Sequence, residues 1–106
     1  MDRFFFEYFN SIDKLCREIS MDDVDSLQKL LIAVRKPNKV WVVGNGGSAS
    51  IASHVSVDLA NVLNIPALTL NDSSMITCLA NDFGYENWVV RGLENQAAPG
   101  DLLILI

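Results

Sequence analysis

Residues 44–48 read Gly-Asn-Gly-Gly-Ser. Three glycines in four positions allow positive φ angles and a close approach of main chain to ligand. Ser48 can cap a following helix and offer its hydroxyl. The apolar run Lys39-Val40-Trp41-Val42-Val43 precedes this loop, and residues 49–63 carry a helical pattern. A glycine loop between strand and helix exposes N–H groups at the positive end of a helix dipole, which favours an anion. A tight turn with no ligand needs one glycine rather than three, so the anion site is the better reading. There is no Gly-Lys-Ser/Thr, which excludes a triphosphate P-loop. A dinucleotide fingerprint stays open as runner-up, because Gly44-x-Gly46-x-x-Ala49 fits it and Asp72 follows the next predicted strand, where an acid would meet a ribose. Gly47-Ser48 and the two helices ahead of the first strand count against it.

His54 is the single histidine, and Asp58 lies four residues on. That spacing puts both on one helix face, on the border of the apolar stripe Ile51, Val55, Leu59 and Val62. The pair can hold a divalent metal with ligands from elsewhere. It can share a proton in acid–base work, or simply form a hydrogen-bonded pair on a helix rim. Asn71-Asp72-Ser73-Ser74 and Asn81-Asp82-Phe83-Gly84 are rich in turn residues and suit capping of the helices behind them. Asn71 and Ser73 fall near the end of a strand, close to where a ligand would lie, and Asp82 can bind a sugar hydroxyl.

The elements that would position these residues follow from periodicity. Phe5, Tyr8, Phe9, Ile12, Cys16 and Ile19 form one helical face, widened by Phe4 and Phe6. Ser20 reads as the N-cap of a second helix carrying Val24, Leu27, Leu30, Leu31 and Val34, which Pro37 ends. Lys39–Val43 and Asp101–Ile106 read as parallel strands buried on both faces, because they are nearly continuous apolar runs, and Pro66–Leu70 reads as a second short strand. Helices are predicted over 49–63, 73–79 and 85–96, with Asn81 to Gly84 dividing the last two. The order gives an α/β fold: a helical segment over residues 1–36, then β-loop-α-β-α-β over 39–106. Trp41 and Trp88 read as core, Cys16 and Cys78 as reduced core thiols, and Arg91 as a surface or interface residue.

The chain has 106 residues, 50% of them hydrophobic and 20% charged, with a net charge of −5, so one packed domain is the expectation. The acidic balance and lack of a Lys/Arg cluster argue against nucleic acid. No run reaches the length of a membrane span, and acids flank Phe4–Phe6, so neither a membrane partner nor a secretion signal is expected. A cytoplasmic location follows as an expectation. The sequence stops within its most apolar strand, which suggests the front of something longer.

Val43-Gly44-Asn45-Gly46-Gly47-Ser48-Ala49 with Ala52-Ser53-His54, then Ala80-Asn81-Asp82-Phe83-Gly84-Tyr85, then Pro99-Gly100-Asp101-Leu102-Leu103, resembles the SIS (sugar isomerase) domain family. Within it the likeness is to the phosphoheptose isomerases, and it spans residues 24–106. The resemblance implies a flavodoxin-like parallel sheet preceded by two helices and cut after the third strand. It also implies a homotetramer with N-terminal helices between subunits, which would account for Phe4-Phe5-Phe6. The implied reaction is the aldose–ketose isomerisation of sedoheptulose 7-phosphate to D-glycero-D-manno-heptose 7-phosphate through an enediolate, a step of heptose supply for lipopolysaccharide or capsule. Asn45, Gly46, Gly47 and Ser48 then contact the sugar phosphate, and Asn81 and Asp82 the sugar. His54 matches a zinc ligand. Asp58 stands where the family has a glutamate that binds zinc and moves protons, one methylene longer. Further zinc ligands and a second phosphate loop lie beyond Ile106 in the family, so residues 1–106 alone are expected to be inactive. A non-catalytic SIS module of the DnaA-binding, initiator-associating type is the alternative implied by the missing glutamate.

Overall fold

A computed structural model describes residues 2–106. Two helices lead, α1 (Asp2–Arg17) and α2 (Met21–Ala33). Then come β1 (Val40–Val43), α3 (Gly47–Asn61), β2 (Ala67–Leu68), α4 (Ser73–Phe83), a 3₁₀ turn (Tyr85–Asn87), α5 (Trp88–Gln96) and β3 (Leu102–Leu105). The sheet is parallel with order β2-β1-β3. β1 sits in the middle and pairs with β3 along its whole length, from Val40–Leu102 to Val43–Leu105.

Strand alternation splits the core. Val40 and Val42 face one side, against Ala52 and Leu59 of α3 together with Val34 and Ile65. Trp41 and Val43 face the other, against Leu70 and Trp88, with Met75, Leu79 and Leu93 packed around them. All four β1 residues are buried, as a strand covered on both faces requires. The parallel α/β arrangement expected from the sequence is therefore present, and both tryptophans are core.

Several local expectations are corrected. The ladder to β2 holds only Val40–Ala67 and Trp41–Leu68 before the chain turns, so the second strand is shorter than residues 66–70. α4 runs on through Asn81, Asp82 and Phe83 and stops at Gly84, so these residues form a helix end rather than a separate loop. Gly46, not Ser48, caps α3. On α3 the buried positions are Ala52, Ser56 and Leu59, while Ile51 and Val62 are exposed. The helix thus turns Ala52, Ser56 and Leu59 inward, with Val55 packed against the core, and Ile51 and Val57 outward. Ser20 holds the N-cap position of α2 without a side-chain cap bond. Both cysteines are free and exposed rather than core. Arg91 lies on the surface as expected, paired with Glu94 and stacked over Phe83.

α1 makes no extensive contact with another element among the described residues. Its Phe4, Phe6 and Phe9 are each more than 60% exposed. The radius of gyration of 16.7 Å exceeds the roughly 13 Å of a compact chain of this length, because α1 stands clear of the sheet. Among the described residues no helix is long and apolar enough to cross a membrane.

Candidate functional site

β1 delivers the chain to Gly44 at the carboxyl edge of the sheet, where open α/β folds take ligands. A Cβ on Gly44 would collide with the Ser48 carbonyl, so the strand can turn this tightly into α3 only through glycine. Gly46 has φ +57°, in the region that favours glycine. The N–H of Ser48 then donates to Asn45 O at 3.1 Å, and that of Ala49 to Gly46 O at 3.1 Å, which closes the first turn of α3. Neither the Gly46 nor the Gly47 N–H has a partner among the described residues. A Cβ at Gly46 or Gly47 would meet nothing within 4 Å. The two glycines therefore bare main-chain donors to open space at the start of a helix.

Beside the loop is a cleft of about 280 Å³ at the carboxyl ends of β1 and β3. Val43, Gly44 and Asn45 form one wall, and Tyr85, Glu86 and Trp88 another. The second wall reaches the loop because α4 stops at Gly84, whose φ of +89° turns the chain back. A Cβ there would come 2.8 Å from the Glu86 carboxylate. The Tyr85 hydroxyl then donates to Asn45 Oδ1 at 2.8 Å, bridging segments 40 residues apart. A larger apolar groove of about 980 Å³ lies between α2 and the end of α3, lined by residues such as Leu27, Leu31 and Ile65. It is at the opposite edge of the sheet from the glycine loop, and its polar residues, Gln28, Arg35, Lys36 and Asn64, include none of the binding residues expected from the sequence, so the smaller cleft is the candidate site.

Asn71, just past β2, ties the next loop to α3. Its Nδ2 donates to Ala49 O at 2.7 Å and to Ser53 Oγ at 2.8 Å. Its Oδ1 is buried without a hydrogen-bond partner. Asp72 caps α4, accepting from the Met75 N–H at 2.9 Å. That bond gives Asp72 a capping role and uses one oxygen of the acid the dinucleotide reading needs for a ribose.

The remaining predicted residues lie apart from the cleft. His54 Nε2 and Asp58 Oδ2 are 3.5 Å apart on the outward face of α3, with side chains 81% and 58% exposed, rather than on the border of the buried stripe. Two donors about 2.1 Å from one tetrahedral zinc stand about 3.4 Å apart, so the pair fits two corners of such a site. Among the described residues no group of three His, Cys, Asp or Glu side chains completes it. Asp82 accepts from the Asn81 amide at 3.1 Å and stands 3.6 Å from the Cys78 thiol. Of the site residues expected from the sequence, Asn45 lines the cleft itself, and Gly46, Gly47 and Ser48 continue from it.

No family model matches the chain. Among curated proteins it is 33% identical over 112 aligned positions to a phosphoheptose isomerase of Buchnera aphidicola subsp. Acyrthosiphon pisum, covering 95% of this chain and 58% of that protein. It is 37% identical over 86 positions to one from Pelobacter propionicus, covering 76% of this chain and 46% of that protein. The chain resembles the phosphoheptose isomerases. Among solved structures, phosphoheptose isomerase GmhA from Neisseria gonorrhoeae superposes with a TM-score of 0.80 at 23% identity, covering 98% of this chain and 56% of that one. The parallel α/β fold is thus shared with GmhA. The chain spans about half the length of the phosphoheptose isomerases it matches.

The sequence does not single out Tyr85 by its chemistry, and it places Asn71 near a ligand without showing the bonds that latch it to α3. Tyr85 reads there as the start of the 85–96 helix and as the last residue of the Ala80–Tyr85 motif that carries the resemblance.

Proposed function

We propose that the protein carrying this chain is an aldose–ketose isomerase acting on sedoheptulose 7-phosphate, with the glycine loop as a sugar-phosphate contact. The observation that carries this reading is the pair of bare glycines. Gly47 has neither a positive φ nor a neighbour that excludes a side chain, so nothing inside the chain demands glycine there. A ligand that needs the space demands it. The N–H groups of Gly46 and Gly47, the Ser48 hydroxyl and the Asn45 amide then supply donors for phosphate and sugar oxygens. Asn81 and Asp82, on the segment that leads into the cleft wall, take sugar hydroxyls.

Isomerisation moves one proton between adjacent carbons and needs a base within reach of both. In this reading the sugar's reacting carbons extend from the glycine loop along α3 to meet the base, Asp58, paired with His54 outside the cleft on the outward face of that helix. Both are also the chain's contribution to a zinc site, whose other ligands come from outside residues 2–106. Zinc held there would supply Lewis-acid polarisation of the sugar carbonyl. The exposed position of the pair on α3 fits a site completed by further protein. The apolar face of α1 is the contact for a homotetramer in the same reading.

The test is turnover. The protein should convert sedoheptulose 7-phosphate to the aldose, and Gly47→Val should abolish binding of that sugar phosphate while leaving the melting temperature within a few degrees. Binding that survives Gly47→Val would remove the loop from the site.

A further inference from the structure

Asn45 is an exposed side chain on a glycine loop, and a free carboxamide there can present either its carbonyl or its N–H₂ end to a ligand. Tyr85 removes that choice. Its hydroxyl donates to Asn45 Oδ1 at 2.8 Å, so the carbonyl end is engaged and Nδ2 is left with two free donors. We propose that Tyr85 is a positioning residue that sets the Asn45 amide as a fixed donor toward an oxygen of the bound sugar phosphate. This rests on the sugar-phosphate reading of the cleft.

The surrounding structure is built to hold the tyrosine in place. Gly84, at φ +89°, reverses the chain at the end of α4. The Asn87 N–H closes the 3₁₀ turn on Gly84 O at 3.0 Å. Trp88, 4% exposed, anchors the following helix in the core. Tyr85 itself is 54% exposed, so little of the fold's stability depends on it. Its hydroxyl spans the cleft to the one predicted binding residue that lines it. A donor held in one orientation before the ligand arrives avoids the ordering cost of binding. It would act equally on substrate and transition state, so the effect falls on KM rather than kcat.

The experiment uses Tyr85→Phe, Asn45→Ala and the double variant, with sedoheptulose 7-phosphate as the probe. Tyr85→Phe should raise KM about fivefold with kcat within twofold, the loss expected for one hydrogen bond of ordinary strength. In the Asn45→Ala background the same change should add nothing, because its effect runs through Asn45. Without ligand, the Asn45 side-chain amide resonances should move toward those of an unbonded carboxamide in Tyr85→Phe, with increased side-chain motion by NMR relaxation. An unchanged KM, or an equal loss with and without Asn45, overturns the inference while leaving the sugar-phosphate reading standing. Failure of the unsubstituted protein to bind the sugar phosphate overturns that reading, and the donor role of Asn45 with it.

Discussion

The indole Nε1 of Trp41 donates to Asp101 Oδ2 at 2.9 Å, joining the starts of β1 and β3 at the edge opposite the cleft. The same carboxylate accepts the N–H of Lys39 at 3.0 Å and of Ala98 at 3.0 Å, and it pairs with the Lys39 ammonium at 3.1 Å. Its side chain is only 5% exposed. Register between β1 and β3 sets how Asn45 and the chain after β3 share the cleft, so this distant clamp bears on the site. Asp101→Asn keeps the shape but turns an NH₂ toward N–H donors and leaves the lysine unpaired. It should cost about 3 kcal/mol of stability in urea unfolding, the range for breaking a buried charged network. A loss under 1 kcal/mol would show that the clamp does not hold the strands.

Acid should act through the same group. Burial pushes the Asp101 pKa up, but hydrogen bonds from Ala98, Trp41 and Lys39 and the Lys39 ammonium outweigh it and hold the carboxyl well below its usual value of 3.8. A group depressed in the folded state contributes stability that is present above its unfolded pKa and lost as pH falls towards the folded one. The urea midpoint should therefore fall progressively from about pH 5 downward. In Asp101→Asn that slope should be shallower. Equal slopes would place the acid sensitivity elsewhere.

The glycines of the loop should separate by mechanism. Gly44→Ala should lose several kcal/mol, since its Cβ meets the Ser48 backbone and neither can give way. Gly47 is the first residue of α3 and faces open space. Gly47→Ala should hold or raise stability by up to about 0.5–1 kcal/mol, the helical preference of alanine over glycine. The same variant should weaken sugar-phosphate binding. Thermal melts and calorimetry on both variants test the contrast.

Much of the fold could be read from residue types because β1 is buried on both faces. Val40-Trp41-Val42-Val43 leaves no alternation, and that forces a central parallel strand. The glycine loop was legible for a similar reason, since Gly44 and Gly46 are required by the backbone itself. What escaped the sequence depends on residues distant along the chain. The Tyr85–Asn45 bond and the Asn71 bonds to α3 join segments with no shared periodicity. The α3 face was misjudged because Ile51 and Val62 suggested a buried stripe by hydrophobicity. The close approach of α3 to β1 instead selected Ala52 and Ser56, small enough to let the helix settle on the sheet.

Asn71 offers a sharper test than most buried amides. Nδ2 makes two short bonds to α3, and Oδ1 is buried with no partner. Asn71→Ala removes the latch and should cost about 1–2 kcal/mol. Asn71→Asp is the closer isostere but should be worse, because it sets a carboxylate oxygen against the Ala49 carbonyl with no donor waiting at the other end. If Asn71→Asp proves as stable as the unsubstituted protein in urea, the amide assignment is reversed and the latch is misread.

His54 and Asp58 decide whether the outward face of α3 belongs to the reaction. Exposed substitutions of this kind normally change stability by less than about 0.5 kcal/mol. His54→Ala should therefore leave the melting curve in place while lowering the zinc that survives dialysis, and activity with it. Asp58→Glu restores the longer side chain that the resemblance leads one to expect, and it should raise zinc retention above that of the unsubstituted protein. The side chains have the room, being 81% and 58% exposed, and their 3.5 Å separation already suits a shared metal. Metal analysis of the two variants after dialysis, beside turnover of sedoheptulose 7-phosphate, reads both effects. Unchanged zinc content and turnover in His54→Ala would return the pair to a plain helix-rim contact, worth no more than the few tenths of a kcal/mol that such pairs contribute.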